Sequence, residues 1–315
     1  MQLQTLGHEA RRTSERVPKP CKAFELPEGS TVGRFRIGAE IGRGGYATVY
    51  RAFDPWLGRH VAVKVTMKSQ PVSRRKAAWS EARALASVNH PHVVTLFDMV
   101  REQERDVLVM ELVDGASLSE LSRHSALDAN TVAALGVQLA DGLEAIHAAG
   151  LVHGDIKPAN LRLTADGVLK ILDLGVAVAA ERDAADVPAS RSLAGTVSYM
   201  SPERLQGTGG DARADIWSAG AVLFELATGR RAVATLTSSS LVRFVCQGIF
   251  PQRWHLASKM SPPLADVIER AMAPEPQARF QSARELGEAL ERAAGDAAAI
   301  APLSGEMRTP QGRTH

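Results

Sequence analysis

Up to residue 113, apolar positions recur in short runs broken by turn-forming residues: "FRIGAEIG", "TVYRAF", "HVAVKVT", "VVTLFDMV" and "DVLVMELV". Runs of this length, rich in β-branched residues, predict β-strands. One helical pattern interrupts them, about 73–88, with Ala78, Ala82, Leu85 and Ala86 along one face. Beyond residue 113 the apolar period becomes helical, over 117–125, 130–149, 212–228, 264–272 and 282–293. Asp211 is a candidate N-cap for "ARADIWSAGAVLFELATG", and Gly229 followed by two arginines is a helix stop. The expectation is a small sheet lobe, 31–113, and a larger, mainly helical lobe, 114–294, with a cleft between them where a small-molecule site would sit. The flanks, 1–30 and 295–315, are polar and punctuated by Pro and Gly, and are expected to be disordered tails.

Composition narrows the function classes. Of 315 residues 45% are apolar and 23% charged, an ordinary globular balance. A net charge of +2 carries no footprint for nucleic acid or a membrane surface. Cys21 and Cys246 lack metal-type spacing and suit a reducing compartment. The N-terminus lacks the apolar stretch of a signal peptide, and no run reaches the roughly 20 apolar residues that span a bilayer. The expected location is therefore cytoplasmic, without membrane insertion.

Four segments carry candidate chemistry. In "IGRGGYATV", Gly42, Gly44 and Gly45 would let backbone amides approach a phosphate, although a tight glycine hairpin reads equally well. There is no G-K-[ST] ending, and a strand follows rather than a helix, which excludes a Walker loop and argues against a dinucleotide fold. Lys64 lies in an apolar strand, with Val61, Val63 and Val65 on one face and Ala62 and Lys64 on the other, the cleft side. Alone it would be an exposed-face lysine; beside a glycine loop it could hold phosphates, with Glu81 as its anion, itself otherwise a solvated helical carboxylate. "HGDIKPAN" offers Asp155 as proton acceptor, Lys157 as a cation and Asn160 as a hard oxygen ligand. "LKILDLG" ends an apolar strand on Asp173, a second candidate metal contact.

The order and spacing of these segments resemble the eukaryotic-type serine/threonine protein kinases of bacteria, over about 33–293. "GTVSYMSPE", "DARADIWSAG" and "QARF" extend the likeness. The resemblance implies a bilobal α+β kinase fold, ATP with Mg²⁺ or Mn²⁺, and protein substrates with Ser or Thr acceptors. It implies catalytic roles for Asp155, Lys157, Lys64, Glu81 and Thr196, and metal contacts from Asn160 and Asp173. It places Ile41, Gly42, Gly44, Val49, Ala62, Lys64, Met110, Glu111, Val113 and Arg162 around the nucleotide. It also implies that Asp215 anchors the catalytic loop and that Arg279 pairs with Glu203.

Four positions depart from the family pattern: Ala47 for the third loop glycine, Leu174 for a phenylalanine, Gly154 for the loop arginine, and Arg162 for an apolar residue beneath the adenine. Gly154 removes a clamp for a phosphorylated activation segment, whose candidate hydroxyls are Ser190, Ser192 and Ser198; Arg74, Arg75 and Lys76 are a possible substitute phosphate site, or a solvated helix start. Arg162 either lies flat against a base or spoils the pocket. Two other readings remain open at this point. "HGD" followed by Asn160 also resembles small-molecule phosphotransferases, and the altered floor suits a pseudokinase-type scaffold.

Overall fold

The computed structural model describes residues 26–44, 47–67, 79, 82–101, 105–123, 125–173, 197–232 and 261–295. Its first part is a six-stranded antiparallel sheet of β1 (Thr31–Val32), β2 (Phe35–Arg43), β3 (Ala47–Asp54), β4 (Arg59–Met67), β5 (Leu96–Arg101) and β6 (Arg105–Glu111), ordered β1-β2-β3-β4-β6-β5. β4 shows why the alternation specifies this sheet. Val61, Val63 and Val65 pack with Val32, Phe35, Ile37, Tyr50, Ala52, Val107 and Val109, whereas Ala62 faces the opposite way, into the main core. A strand apolar on both faces needs cover on both, and the second cover comes from the helical part.

Two expected boundaries move. Residues 26–30, read as tail, are tied to the sheet: Leu26 N–H donates to the Tyr50 hydroxyl at 3.0 Å, and the Ile37 amide donates to the Ser30 carbonyl at 2.8 Å. Residues 93–95 lie outside β5. Val94 N–H instead donates to the Ile171 carbonyl, and Ile171 N–H to His92, lacing this segment to the helical part. Residues 82–86 are helical, as the 73–88 pattern predicts for that stretch, with Ala82 and Leu85 buried.

The second part holds α1 (Leu118–Leu121), α2 (Ala129–Ala148), α3 (Pro202–Leu205), α4 (Ala212–Thr228), α5 (Pro262–Ala271) and α6 (Ala283–Ala294). A small sheet of β7 (Ala116–Ser117), β8 (Leu161–Leu163) and β9 (Leu169–Ile171) lies at the boundary. α1 is shorter than expected; Ser117 and Glu120 cap it reciprocally at its start, and the chain leaves the helix at Ser122. α2 begins at Asp128, whose carboxylate accepts from Thr131 N–H at 3.0 Å, a cap worth about 1 kcal/mol. α4 is the buried central helix, capped by Asp211 and stopped at Gly229 in the left-handed conformation (φ 68°), as the sequence predicts. α2 comes close to β9 because Gly142 has no side chain: a Cβ there would lie 2.7 Å from Ile171 and 3.0 Å from the His92 carbonyl. No helix among the described residues is long and apolar enough to cross a membrane.

Candidate active site

The cleft side begins at the β2–β3 turn. Gly44 N–H donates to the Ala47 carbonyl at 2.8 Å, closing the turn. Neither Gly42 nor Gly44 has a positive φ, and a Cβ at either would make only ordinary contacts. The turn geometry therefore does not require glycine at these two positions; what glycine provides is open backbone. That weakens the hairpin reading there. Gly45 lies outside the described residues, while Ile41 beside the turn is 46% exposed.

Register then builds a wall. Val49 stands opposite Lys64, Ala62 opposite Met110 and Lys64 opposite Leu108. Val49, Ala62 and Met110 all join the hydrophobic cluster that continues into the helical part, so the face predicted for Ala62 is the one observed. β6 ends at Glu111, whose carboxylate accepts from Lys170 at 3.0 Å and from the Thr95 amide at 3.2 Å. On β8, Leu161 and Leu163 turn into the core and Arg162 turns out of it, opposite Lys170 on β9. The Arg162 guanidinium donates to the Val113 carbonyl at 3.3 Å, which places it at the connection between the two parts.

Residues 153–160 form a loop knotted by its own side chains. Asp155 Oδ2 accepts from Lys157 Nζ at 2.8 Å and from Asn160 Nδ2 at 3.0 Å. Asn160 Nδ2 also donates to the Asp155 carbonyl at 2.8 Å. Among the described residues no side chain or backbone donor reaches Asp155 Oδ1, which leaves it an acceptor for a further proton. The Asp155 amide donates to His153 Nδ1 at 3.1 Å, so the His153 proton sits on Nε2, which reaches the Leu172 carbonyl at 2.9 Å. The Leu172 amide in turn donates to the Asn160 carbonyl at 2.8 Å. This lacing seats the segment before Asp173 directly against the loop.

Asp173 closes the set. Its Oδ1 accepts from Lys64 Nζ at 2.7 Å, joining the sheet to the end of β9. Burial opposes ionisation here; the Lys64 charge and hydrogen bond, aided by His153 and Lys157, outweigh it and hold the carboxyl below the usual range. Asp173 is the one non-glycine with positive φ among the described residues (51°), a strained conformation that costs about 1–3 kcal/mol. Asn160 uses its amide nitrogen within the loop, leaving its carbonyl oxygen; with the Asp173 carboxylate this is a set of hard oxygens that fits Mg²⁺. The sequence expected Glu81 as the partner of Lys64. Glu81 and Thr196 lie outside the described residues, as do Leu174, Ser190, Ser192, Arg74, Arg75 and Lys76.

Two further expectations have geometry. Asp215, fully buried on α4, accepts from the amides of His153 (2.8 Å) and Gly154 (2.7 Å) and from His147 Nε2 (3.0 Å). Arg279 makes a two-pronged pair with Glu203, each prong 2.8 Å, and gives its remaining donors to the carbonyls of Ala273, Arg213 and Pro274. All five donors are thus used. Ser198 is 8% exposed, so as placed it is a poor acceptor for a phosphate. The sequence assigns nothing to His147 or Arg204, both of which touch this network; a histidine in a long helix and an arginine in a four-residue helix give no local signal.

Known proteins resemble the chain at both levels. A family model described as "Protein kinase domain" matches residues 35–289. A Streptomyces coelicolor protein, "Probable serine/threonine-protein kinase SCO3848", is 36% identical over 265 residues, covering 81% of this chain and 39% of the relative. Serine/threonine-protein kinase PknL of Mycobacterium tuberculosis is 32% identical over 269 residues, covering 84% of this chain and 67% of that one. The solved structure of "Rad53 1-466 in complex with AMP-PNP" shares the fold, with a TM-score of 0.68 and 24% identity over 81% of this chain and 64% of that chain. Against three of the curated relatives the chain spans only 39–41% of their length.

Proposed function

The chain belongs to the protein kinase domain family, and from that premise we propose that it transfers the γ-phosphoryl group of ATP to Ser or Thr hydroxyls of protein substrates, itself among them. The observation that carries this reading is convergence. Lys64 on β4, the loop residues Asp155, Lys157 and Asn160, and Asp173 just after β9 are joined by hydrogen bonds, with 109 positions between Lys64 and Asp173.

Asp155 Oδ1 accepts the acceptor hydroxyl's proton as its oxygen bonds to the γ-phosphorus. The bond from that phosphorus to the bridging oxygen breaks, and ADP leaves with the electron pair. Lys157 orients Asp155 through its 2.8 Å contact and adds positive charge for the phosphoryl oxygens. Lys64 holds the α- and β-phosphates, with Glu81 as its second anion beside Asp173. Asn160 and Asp173 would hold Mg²⁺ or Mn²⁺, whose charge would offset that of the phosphates. Gly42 and Gly44 leave the phosphates access to backbone; Ile41, Val49, Ala62 and Met110 enclose the base; Glu111 and Val113 offer it backbone groups. Arg162 supplies the floor of that pocket, its guanidinium steadied by the Val113 carbonyl. Thr196 helps hold Asp155 and Lys157.

Full-length protein with Mg²⁺ and labelled ATP should modify itself or a generic basic substrate, and Asp155→Asn should abolish this. Wild type indistinguishable from Asp155→Asn would overturn the proposal. Arg162 favours one second reading, a nucleotide-binding scaffold, because it takes up an acceptor at the connection where a base would bind. A nucleotide-dependent thermal shift without turnover would select it.

A further inference from the structure

The position where relatives carry a loop arginine is Gly154, and an arginine side chain nevertheless stands there. A Cβ built on Gly154 would lie 2.8 Å and 3.0 Å from the two terminal nitrogens of Arg204 and 3.3 Å from its Cζ. Gly154 also has φ 71°, a conformation strained for any other residue. Arg204 sits on the short helix α3, immediately after Glu203, and its stem runs past a second glycine: a Cβ on Gly210 would meet Arg204 Cγ at 2.9 Å and Cδ at 3.2 Å. Two bare backbones thus form a slot for one arginine.

At the end of the slot the guanidinium donates to the Gly154 carbonyl at 2.5 Å. That carbonyl belongs to the peptide joining Gly154 to Asp155. The same peptide's N–H is held by His153 Nδ1, and the amides just before it by Asp215. The unit that carries the Asp155 Cα is therefore gripped at both its polar atoms, with Arg204 holding the oxygen. Burial pulls the Arg204 guanidinium below its ordinary range, and the Asp215 and Asp155 charges offset only part of that. Other than the carbonyl, Arg204 has no hydrogen-bond acceptor among the described residues. A half-buried cation with so few partners is costly to place, and its position is explained by what it holds.

We propose that Arg204 is a positioning residue for Asp155, supplying from α3 the loop cation that Gly154 cannot supply from within the loop. The brace is part of the folded core and needs no phosphate to form. It acts on the orientation of the loop and not on nucleotide binding, since Arg204 touches no residue assigned to the nucleotide. For its activity arm the inference rests on the kinase reading above; its exchange arm does not.

The test compares wild type, Arg204→Gln and Arg204→Lys in the full chain, by kcat, by KM for ATP and by amide hydrogen exchange over 151–158. Arg204→Gln should lower kcat at least tenfold, leave KM for ATP within twofold, and speed exchange at His153, Gly154 and Asp155 at least tenfold; Arg204→Lys should recover most of both. Unchanged kcat, unchanged exchange, or a rise in KM without a fall in kcat would each overturn the inference. If Arg204→Gln does not fold, Gly210→Ala, which crowds the arginine out of its slot, replaces it with the same expected results. Inactive wild type defeats the kinase reading, and the exchange arm alone then decides for or against the brace.

Discussion

Asp215→Asn changes one atom of the buried anchor and should separate its two jobs. The carboxylate presents two oxygens to three donors: Oδ1 to Gly154 N–H, Oδ2 to His153 N–H and His147 Nε2. Asparagine keeps the shape but has one oxygen. Its NH₂ must then face at least one backbone N–H, donor against donor. An unpaired buried donor costs about 1–3 kcal/mol, and the surviving bonds lose their charge assistance, so a total near 3 kcal/mol is expected. At about 2–4 °C per kcal/mol for a domain of this size, the melting midpoint should fall by roughly 6–12 °C. The displaced loop carries Asp155, and a misplacement of about 1 Å can cost about 10²-fold in rate, so kcat should fall by that order. KM for ATP should hold, because Lys64 and Val113 belong to other elements. Urea unfolding and steady-state kinetics on the same preparations read both effects. The pH dependence gives an independent check. Burial opposes ionisation of Asp215, but the hydrogen bond from His147 and those from the His153 and Gly154 amides outweigh it, so its folded pKa lies below the unfolded value of about 3.9. The carboxylate's contribution is therefore full above about pH 4 and lost as pH falls through the folded pKa. The gap between wild type and Asp215→Asn should narrow below about pH 4. A variant within 0.5 kcal/mol of wild type, with unchanged kcat, would refute the reasoning.

Arg279→Leu strands the Glu203 carboxylate and three carbonyls in a site where the guanidinium is fully buried, and should destabilise the protein by about 3–5 kcal/mol in urea unfolding. Lys64→Met should cut turnover by at least about 10²-fold; it also removes the strongest influence that keeps Asp173 charged against burial, so the Asp173 signal in a carboxyl NMR titration should move upward. Arg162→Ala should raise KM for ATP several-fold with kcat little changed, while Arg162→Leu, which restores an apolar floor, should recover it; equal KM values in all three would remove Arg162 from the pocket. Because Gly154 cannot clamp a phosphate, phosphatase-treated protein should keep activity within about threefold of untreated protein in the same assay.

Much of the fold was legible before any coordinates. The alternation in "HVAVKV" predicts which side of β4 each residue faces, and "D…G" around "ARADIWSAGAVLFELAT" predicts α4 nearly to the residue. The order of motifs predicts the family. These are properties of neighbours in the chain: side-chain period, cap chemistry and the spacing of a loop with its own ligands. What tertiary structure alone decided are meetings across sequence. Lys64 and Asp173 are 109 positions apart and Arg204 and Gly154 are 50 apart, and nothing local marks either pair. The same holds for Leu26 against Tyr50, and for His92 and Val94 bonded to Ile171 instead of extending β5. A hydrogen bond of that range exists only when packing brings two finished elements within about 3 Å. Gly154 shows both sides: the sequence identifies the missing arginine, and only the packed chain shows which arginine occupies its place.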